Sequence, residues 1–151
     1  MKFTWFIGID VSKATLDVAF CHQDNVKQFT HQQFANNLSG FKGLLTWLNK
    51  QKITSQSSLF CMEHTGHYTL ALCCFLQDNH CHYTLVSPLD LKKSLGITRG
   101  KNDRIDAQRI SGFACLHQLS LKPVQLPSTT LLKLKNLMAF RDRLTKSKVS
   151  L

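Results

Sequence analysis

Apolar and polar residues alternate with a period of two in three stretches near the N-terminus, a period typical of β-strands. The stretches are residues 3–10, 15–21 and 26–34. The link between the first two is short, which favours an antiparallel hairpin, and the third follows a turn signal at Asp24 and Asn25. The first stretch is apolar on both faces, so we predict a strand with both faces largely covered.

The apolar period then becomes helical. Ser39 is a favourable N-cap, and apolar side chains follow it at positions i, i+3, i+4 and i+7 of an amphipathic helix. These side chains are Phe41, Leu44, Leu45 and Leu48. After a polar connector over residues 53–58, the short apolar run 59–62 ends in Glu63. Such a run predicts a buried strand in a parallel position.

The rest of the chain alternates between helix and strand. Residues 68–77 are apolar almost all round, which predicts a buried helix, and residues 82–86 predict a fifth strand. The basic residues 89–101 are punctuated by glycine and predict a loop with room for one helical turn. Further helices are predicted from about Asn102 and after Ser128.

This order of elements indicates the fold class. Three successive strands followed by alternating helices and strands predict an α/β domain, with a mixed sheet that helices cover on both faces. If the strands at residues 3–10 and 59–62 are parallel neighbours, Asp10 and Glu63 lie side by side. They would then stand at the carboxyl end of the sheet, where such folds bind ligands.

We predict two parts in the chain, a domain over residues 1–120 and a basic amphipathic helix over residues 121–151. Pro123 and Pro127 separate them. The helix is expected to pack on the domain or to begin a linker or coiled coil, and its apolar stripe favours a homodimer or higher homo-oligomer. No obvious terminator precedes Leu151, so a truncated chain is expected.

The composition argues against a membrane or secreted protein. No run of about eighteen apolar residues is present, which argues against a membrane span. The apolar N-terminal stretch is broken by Asp10 and lacks a signal cleavage site. We therefore predict an intracellular protein whose six cysteines are reduced thiols used in packing. The His and Cys residues near positions 64–67 and 80–82 match no common zinc module.

The net charge of +10 is concentrated at one end of the chain. Residues 91–151 carry thirteen basic and three acidic residues, whereas residues 1–90 carry six of each. A segment this basic favours binding to a polyanion, most simply nucleic acid, and a basic solvated surface is the other interpretation. Its Lys and Arg side chains would contact phosphate rather than read base sequence.

Acidic residues are scarce, and Glu63 is the only glutamate among the nine. Asp10 and Glu63 end apolar runs, where a solubilising charge is least expected, so a metal-binding or catalytic role is favoured. Asp103 and Asp106 are three residues apart and project from one face near the start of a predicted helix. The alternative for these two acids is that they complement the helix dipole.

Three motifs stand in the same order as in a known family. They are Ile7-Gly8-Ile9-Asp10-Val11-Ser12-Lys13, Met62-Glu63-His64-Thr65-Gly66-His67-Tyr68 and Lys101-Asn102-Asp103-Arg104-Ile105-Asp106-Ala107. The first resembles the "GIDVSK" signature of insertion-sequence transposases with a DEDD, RuvC-like domain, the group that also contains the Piv-type DNA invertases. The second resembles the family's acidic residue followed by Thr-Gly and an aromatic. The third resembles "KTDxxDA", with Asn102 where the family usually has Thr. The resemblance covers nearly the whole chain and only the N-terminal half of the family's pattern.

The resemblance implies a ribonuclease-H-like fold and a metal-dependent enzyme that cleaves and transfers DNA strands. It implies that Asp10, Glu63, Asp103 and Asp106 are catalytic metal ligands. They would hold two Mg²⁺ ions, or Mn²⁺ as a substitute, with Asp10 as the bridging ligand. It also implies a nucleophilic serine from a C-terminal domain, a structured RNA encoded by the element, and a cytoplasmic, nucleoid-associated location in a prokaryote. The chain alone is expected to bind metal and nucleic acid without completing strand exchange.

Basic residues around the third motif are the candidates for contact with the DNA backbone. They are Lys92, Lys93, Arg99, Lys101, Arg104 and Arg109. Two other functions remain open, namely a ribonuclease-H-like junction resolvase that acts without a serine, and a nucleic-acid-binding module without catalysis. Cleavage of branched DNA by this chain alone would favour the resolvase. Metal-independent binding that ignores substitution of Asp10 would favour the binding module.

Overall fold

The computed structural model of the chain describes residues 2–64, 66–96 and 102–149. The strands are β1 (Trp5–Val11), β2 (Thr15–His22), β3 (Asn25–Ala35), β4 (Ser58–Glu63) and β5 (His82–Val86). The helices are α1 (Leu38–Lys50), α2 (His67–Asp78), α3 (Pro88–Leu95), α4 (Asp103–Leu116) and α5 (Thr129–Val149). All five predicted strands are therefore present.

The strands form one mixed sheet in the order β3-β2-β1-β4-β5. Strands β1, β2 and β3 pair antiparallel, whereas β1, β4 and β5 pair parallel. This arrangement confirms the predicted hairpin and the predicted parallel pairing of the first and fourth strands. It brings the carboxyl ends of β1 and β4 to the same edge of the sheet.

Helices cover both faces of the sheet. On one face, Leu44 of α1 and Leu72 of α2 pack into a core that includes Ile9 of β1. On the other face, Phe113 of α4 packs into a second core that includes Phe6 of β1. Successive side chains of a strand point to opposite faces, so the central strand β1 contributes to both cores. This explains why the sequence of β1 is apolar at both odd and even positions.

Five of the six cysteines belong to these cores, and none forms a disulfide. All six are free, and five are buried. Burial raises the pKa of the Cys61 thiol to about 12 and the pKa of the Cys21 thiol to about 11. These thiols are therefore neutral near pH 7 and pack as small apolar groups.

Helix α1 begins earlier than the sequence predicts. Asn37, rather than Ser39, is the N-cap, because its backbone is extended and its side-chain oxygen accepts a hydrogen bond from the Gly40 N–H at 2.9 Å. The prediction of Ser39 was wrong because both residues are good caps and the route of the chain decides between them. The chain leaves β3 at Ala35, and Gly40 lies so close to the Ala35 backbone that a Cβ would overlap it.

We expect Asn37→Ala to lower the free energy of unfolding by about 1 kcal/mol, because the capping hydrogen bond is lost. Ser39→Ala is the matched control, and we expect it to change that free energy by less than about 0.5 kcal/mol. Urea denaturation followed by circular dichroism measures both variants. A larger loss for Ser39→Ala than for Asn37→Ala would contradict the assigned cap.

Residues 88–95 form α3, where the sequence analysis predicted a loop. Ser87 caps this helix by accepting a hydrogen bond from the Leu89 N–H at 3.2 Å, and Pro88 occupies its first turn. Leu91 is buried and anchors the helix to the sheet. The loop prediction was wrong here because one buried leucine among polar residues gives too weak a period to recognise. The remainder of the predicted loop, residues 97–101, lies outside the described residues.

Residues 121–128 run along the outer edge of the sheet and lead into α5. The Val124 N–H donates to the Tyr83 carbonyl at 2.7 Å. The Gln77 side chain accepts from the Leu126 N–H at 2.8 Å and donates to the Leu126 carbonyl at 3.2 Å. The bond from Val124 covers part of the edge strand β5, and the bonds to Gln77 hold the segment against α2.

Helix α5 presents apolar side chains that the described part of the chain leaves exposed. They are Leu131, Leu134, Leu137, Met138, Phe140 and Leu144. Their exposure favours the predicted linker or coiled coil over packing on the domain, and the division of the chain at residue 120 remains a prediction. None of the described helices combines the length and the hydropathy needed to cross a membrane.

Candidate functional site

Three carboxylates converge at the carboxyl edge of the sheet. Asp10, Asp103 and Asp106 each offer an oxygen atom, and these atoms lie within 4.8 Å of one another. Asp10 is the penultimate residue of β1, whereas Asp103 and Asp106 lie in the first turn of α4. Asp10 and Asp106 are partly buried and Asp103 is exposed, so the group is open to solvent on one side.

Close packing of α4 against β1 brings these carboxylates together. A Cβ at Gly8 would overlap the backbone of Ala107 and Ser111, so only glycine allows the helix to lie this close to the strand. The Ser111 hydroxyl donates a hydrogen bond of 2.7 Å to the Phe6 carbonyl in the same contact. The second and third turns of α4 are thereby held against β1, and the first turn of α4 lies next to Asp10.

The first turn of α4 is ordered by a side-chain cap. Asn102 accepts hydrogen bonds from the Arg104 N–H at 3.1 Å and the Ile105 N–H at 3.3 Å. Asn102, which stands where the family usually has Thr, therefore caps the start of α4. Asp103 and Asp106 also lie where the helix dipole favours negative charge.

Glu63 lies on the neighbouring strand and outside this close group. Ile9 pairs with Met62, so Asp10 and Glu63 are the next residues along the two parallel strands. In β4, Leu59 and Cys61 belong to the core under α4, and alternation places Glu63 on the same face. The structure thus brings three of the four predicted acids within 4.8 Å of one another and leaves Glu63 outside that group. The role of all four as metal ligands remains a prediction.

Asp17 is a further carboxylate beside the site that the sequence analysis did not single out. It pairs directly with Asp10 across β1 and β2 and is buried. His31 Nε2 lies 2.8 Å from one of its oxygens, and the Gln33 amide donates to the other at 3.1 Å. The sequence feature that could have identified Asp17 is a charged residue within a strand whose two faces are both covered. Asp17 was missed because a polar residue that alternates with apolar neighbours in a strand usually faces solvent.

Among the predicted basic residues, Arg109 has a defined position next to the acidic group. Its guanidinium donates to the carbonyls of Leu95 and Gly96 at 3.2 and 3.0 Å, and it lies 3.9 Å from an Asp106 oxygen. Arg109 therefore joins the end of α3 to α4 beside the carboxylates, in addition to any role in binding. Lys92, Lys93 and Arg104 are exposed, and Arg99 and Lys101 lie outside the described residues.

The chemistry of the acidic group fits a hard divalent cation. Its three ligand atoms are all carboxylate oxygens, the type that Mg²⁺ and Mn²⁺ prefer, and histidine and cysteine take no part in it. One partly open side leaves room for water or a phosphate oxygen to complete an octahedral shell. The residues present are therefore suited to the metal that the motifs imply.

Comparisons with known proteins show which families and folds the chain is similar to. A family model for DEDD-type transposases, described as "Transposase", matches residues 7–151. The "Pilin gene-inverting protein" of Moraxella bovis and that of Moraxella lacunata are each 33% identical to the chain over 105 residues. The aligned region is 68% of this chain and 31% of each relative, so the chain spans about a third of their length.

A solved structure, "T. thermophilus RuvC in complex with Holliday junction substrate", is similar to the chain with a TM-score of 0.58. The similarity covers 80% of this chain and 99% of that chain, with 10% sequence identity. At this identity the similarity concerns the fold alone. It confirms the predicted ribonuclease-H-like, RuvC-like fold.

Proposed function

The chain belongs to the DEDD family of transposases, and on that basis we propose that it is the metal-binding part of an enzyme that cleaves and transfers DNA strands. The observation that carries the proposal is the convergence of Asp10, Asp103 and Asp106 at the carboxyl edge of the sheet. Relatives named for the inversion of a pilin gene support a recombinase that rearranges DNA.

We propose Mg²⁺ as the natural ion, with Mn²⁺ as a substitute and two ions in the complete centre. Asp10 would be the bridging ligand, because it lies between the acids of α4 and Glu63 on the adjacent strand. When bound, such ions activate the attacking oxygen and stabilise the leaving oxygen of a phosphodiester. Arg109 restrains Asp106 from the side of α3, and Asn102 fixes the helix turn that carries both aspartates.

DNA is proposed to approach from the open side of the acidic group, along the exposed end of α3. Arg109 ties the last carbonyls of α3 to the neighbourhood of Asp106, so Lys92 and Lys93 lie within about a turn of a helix end that borders the centre. Lys92, Lys93 and the exposed Arg104 form a basic surface that would bind the phosphate backbone.

We expect the double variant Lys92→Gln/Lys93→Gln to weaken binding to DNA of any sequence. The slope of log K against log salt should become shallower by up to about 2, since each phosphate contact contributes about 0.9. Lys42→Gln/Lys50→Gln is the matched control, because both lysines are exposed on α1, which covers the other face of the sheet. Fluorescence anisotropy across a salt series measures the slopes, and equal flattening in both variants would refute the proposed DNA path.

We also propose further partners. A second domain would supply the serine nucleophile, and a structured RNA encoded by the element would guide the reaction. The exposed apolar side chains of α5 support a homodimer or higher homo-oligomer. The proposed location is the cytoplasm of a prokaryote, in association with the nucleoid.

The experiment that tests the proposal is a Mn²⁺ soak of crystals of the chain, followed by an anomalous difference map. We expect a peak between Asp10, Asp103 and Asp106, and a second peak between Asp10 and Glu63 if two ions bind. A peak elsewhere, or none at millimolar Mn²⁺ with the three carboxylates converging, would reject this group as a metal centre for the chain.

A further inference from the structure

A row of polar side chains crosses four strands beside the acidic group. Asp10 pairs with Asp17, and Asp17 pairs with Gln33, so β1, β2 and β3 each contribute one residue at the same level of the sheet. Glu63 extends the row on β4, as the residue after the pair formed by Ile9 and Met62. The row lies on the face of the sheet that α4 covers, so Asp17 shares its surroundings with the carboxylates of the centre.

Asp17 is the most enclosed acid of this row. It is only 5% exposed, and each of its oxygens has one partner, His31 Nε2 at 2.8 Å and the Gln33 amide at 3.1 Å. A buried carboxylate is costly unless its oxygens are hydrogen-bonded, and these two partners on β3 provide such bonds. They also hold the carboxylate in one orientation. The oxygens can accept about four hydrogen bonds in total, so capacity remains for another donor.

The carboxylate of Asp17 pairs with His31 on β3 and faces the like charge of Asp10 on β1. Side chains that face each other in an antiparallel pair have Cβ atoms roughly 5 Å apart, and like charges at such positions destabilise the sheet. Asparagine would fill the same space beside Asp10 without that repulsion. A second negative charge opposite Asp10 becomes favourable when a divalent cation is held there, because the cation attracts both carboxylates.

We propose that Asp17 is a positioning residue of the metal centre, which accepts a hydrogen bond from a water molecule on the ion that Asp10 holds. His31 and Gln33 keep its carboxylate oriented for that bond. Carboxylates in such outer positions orient the groups bound to a metal and raise its affinity. This inference rests on the proposed function, because it requires that Asp10 bind a divalent cation.

The test is a Mn²⁺ titration of the chain, followed by electron paramagnetic resonance at one pH, on four proteins. Asp17→Asn should weaken Mn²⁺ binding by about 10-fold, as losses of outer carboxylates do at other metal sites. Asp24→Asn is the matched control, since it removes an equal charge from an exposed position just after β2, and its affinity should equal that of the unsubstituted chain. Asp10→Asn reports on the centre itself. Thermal melting without metal, run in parallel, shows whether each variant is folded.

The outcomes separate this inference from the function on which it rests. Wild-type Mn²⁺ affinity in folded Asp17→Asn, with affinity lost in Asp10→Asn, would overturn the role of Asp17 and leave the metal centre intact. Unchanged affinity in Asp10→Asn would overturn both. If Asp17→Asn does not fold, His31→Ala decides, because it releases the Asp17 carboxylate while keeping its charge. A few-fold weaker affinity in His31→Ala, recovered in His31→Gln, supports the positioning role, and wild-type affinity in His31→Ala overturns it.

Discussion

Asp10→Asn is expected to weaken Mn²⁺ binding by about 100-fold or more, because an amide replaces a charged ligand at the centre of the site. Asn has the shape of Asp, so the packing of β1 should be retained. The substitution also removes one of three negative charges that converge within 4.8 Å. Less repulsion should leave the melting temperature without metal equal to that of the unsubstituted chain or higher. Isothermal titration calorimetry with Mn²⁺ and differential scanning calorimetry measure the two effects.

The control for Asp10→Asn is Asp78→Asn. Asp78 is an exposed acid at the end of α2, on the other face of the sheet from α4. Its substitution changes the net charge equally and should leave Mn²⁺ affinity unchanged. Equal losses in the two variants would mean that Mn²⁺ responds to overall charge rather than to a site. The convergence of Asp10 with Asp103 and Asp106 would then have no functional meaning.

Gly8→Ala should be the most destabilising small substitution in the sheet. The added Cβ would overlap backbone atoms of Ala107 and Ser111, and backbone cannot rotate away as a side chain can. We expect a loss of about 3 kcal/mol or more in the free energy of unfolding, at the upper end of overpacking effects. That loss corresponds to a decrease in Tm of roughly 6–12 °C for a chain of this size. If the variant folds, α4 must move away from β1, and Mn²⁺ affinity should fall as well.

Gly112→Ala is the matched control for Gly8→Ala. Gly112 is also buried, and it lies in α4, but a Cβ there would meet the Phe29 ring at 3.6 Å, an ordinary contact distance. Alanine favours helix by about 1 kcal/mol over glycine, so this variant should be as stable as the unsubstituted chain or more so. Thermal denaturation of Gly8→Ala and Gly112→Ala measures the difference in their stability. If Gly8→Ala melts at the same temperature as Gly112→Ala, then α4 is not held tightly against β1.

The period of apolar residues was sufficient to predict most of the elements, because a strand or an amphipathic helix shows its buried face in its own local pattern. All five strands and the helices α1, α2, α4 and α5 were predicted in this way. The local pattern failed where contacts with other elements decide the structure. Leu91 packs α3 against the sheet, and Arg109 of α4 binds the carbonyls at its end. The route from β3 to α1 selects Asn37 over Ser39 as the cap.

The sequence by itself also determined the family and the acidic residues of interest, since its motifs keep their residue types in order along the chain. Only the tertiary structure decided how those acids are arranged. The register of the β1–β2 hairpin aligned Asp17 with Asp10, and the absence of a side chain at Gly8 let α4 bring Asp103 and Asp106 close to Asp10. The approach of α4 to β1 depends on contacts between segments that are remote in the chain, such as the hydrogen bond from Ser111 to Phe6. A residue's immediate neighbours in the sequence carry no record of such contacts.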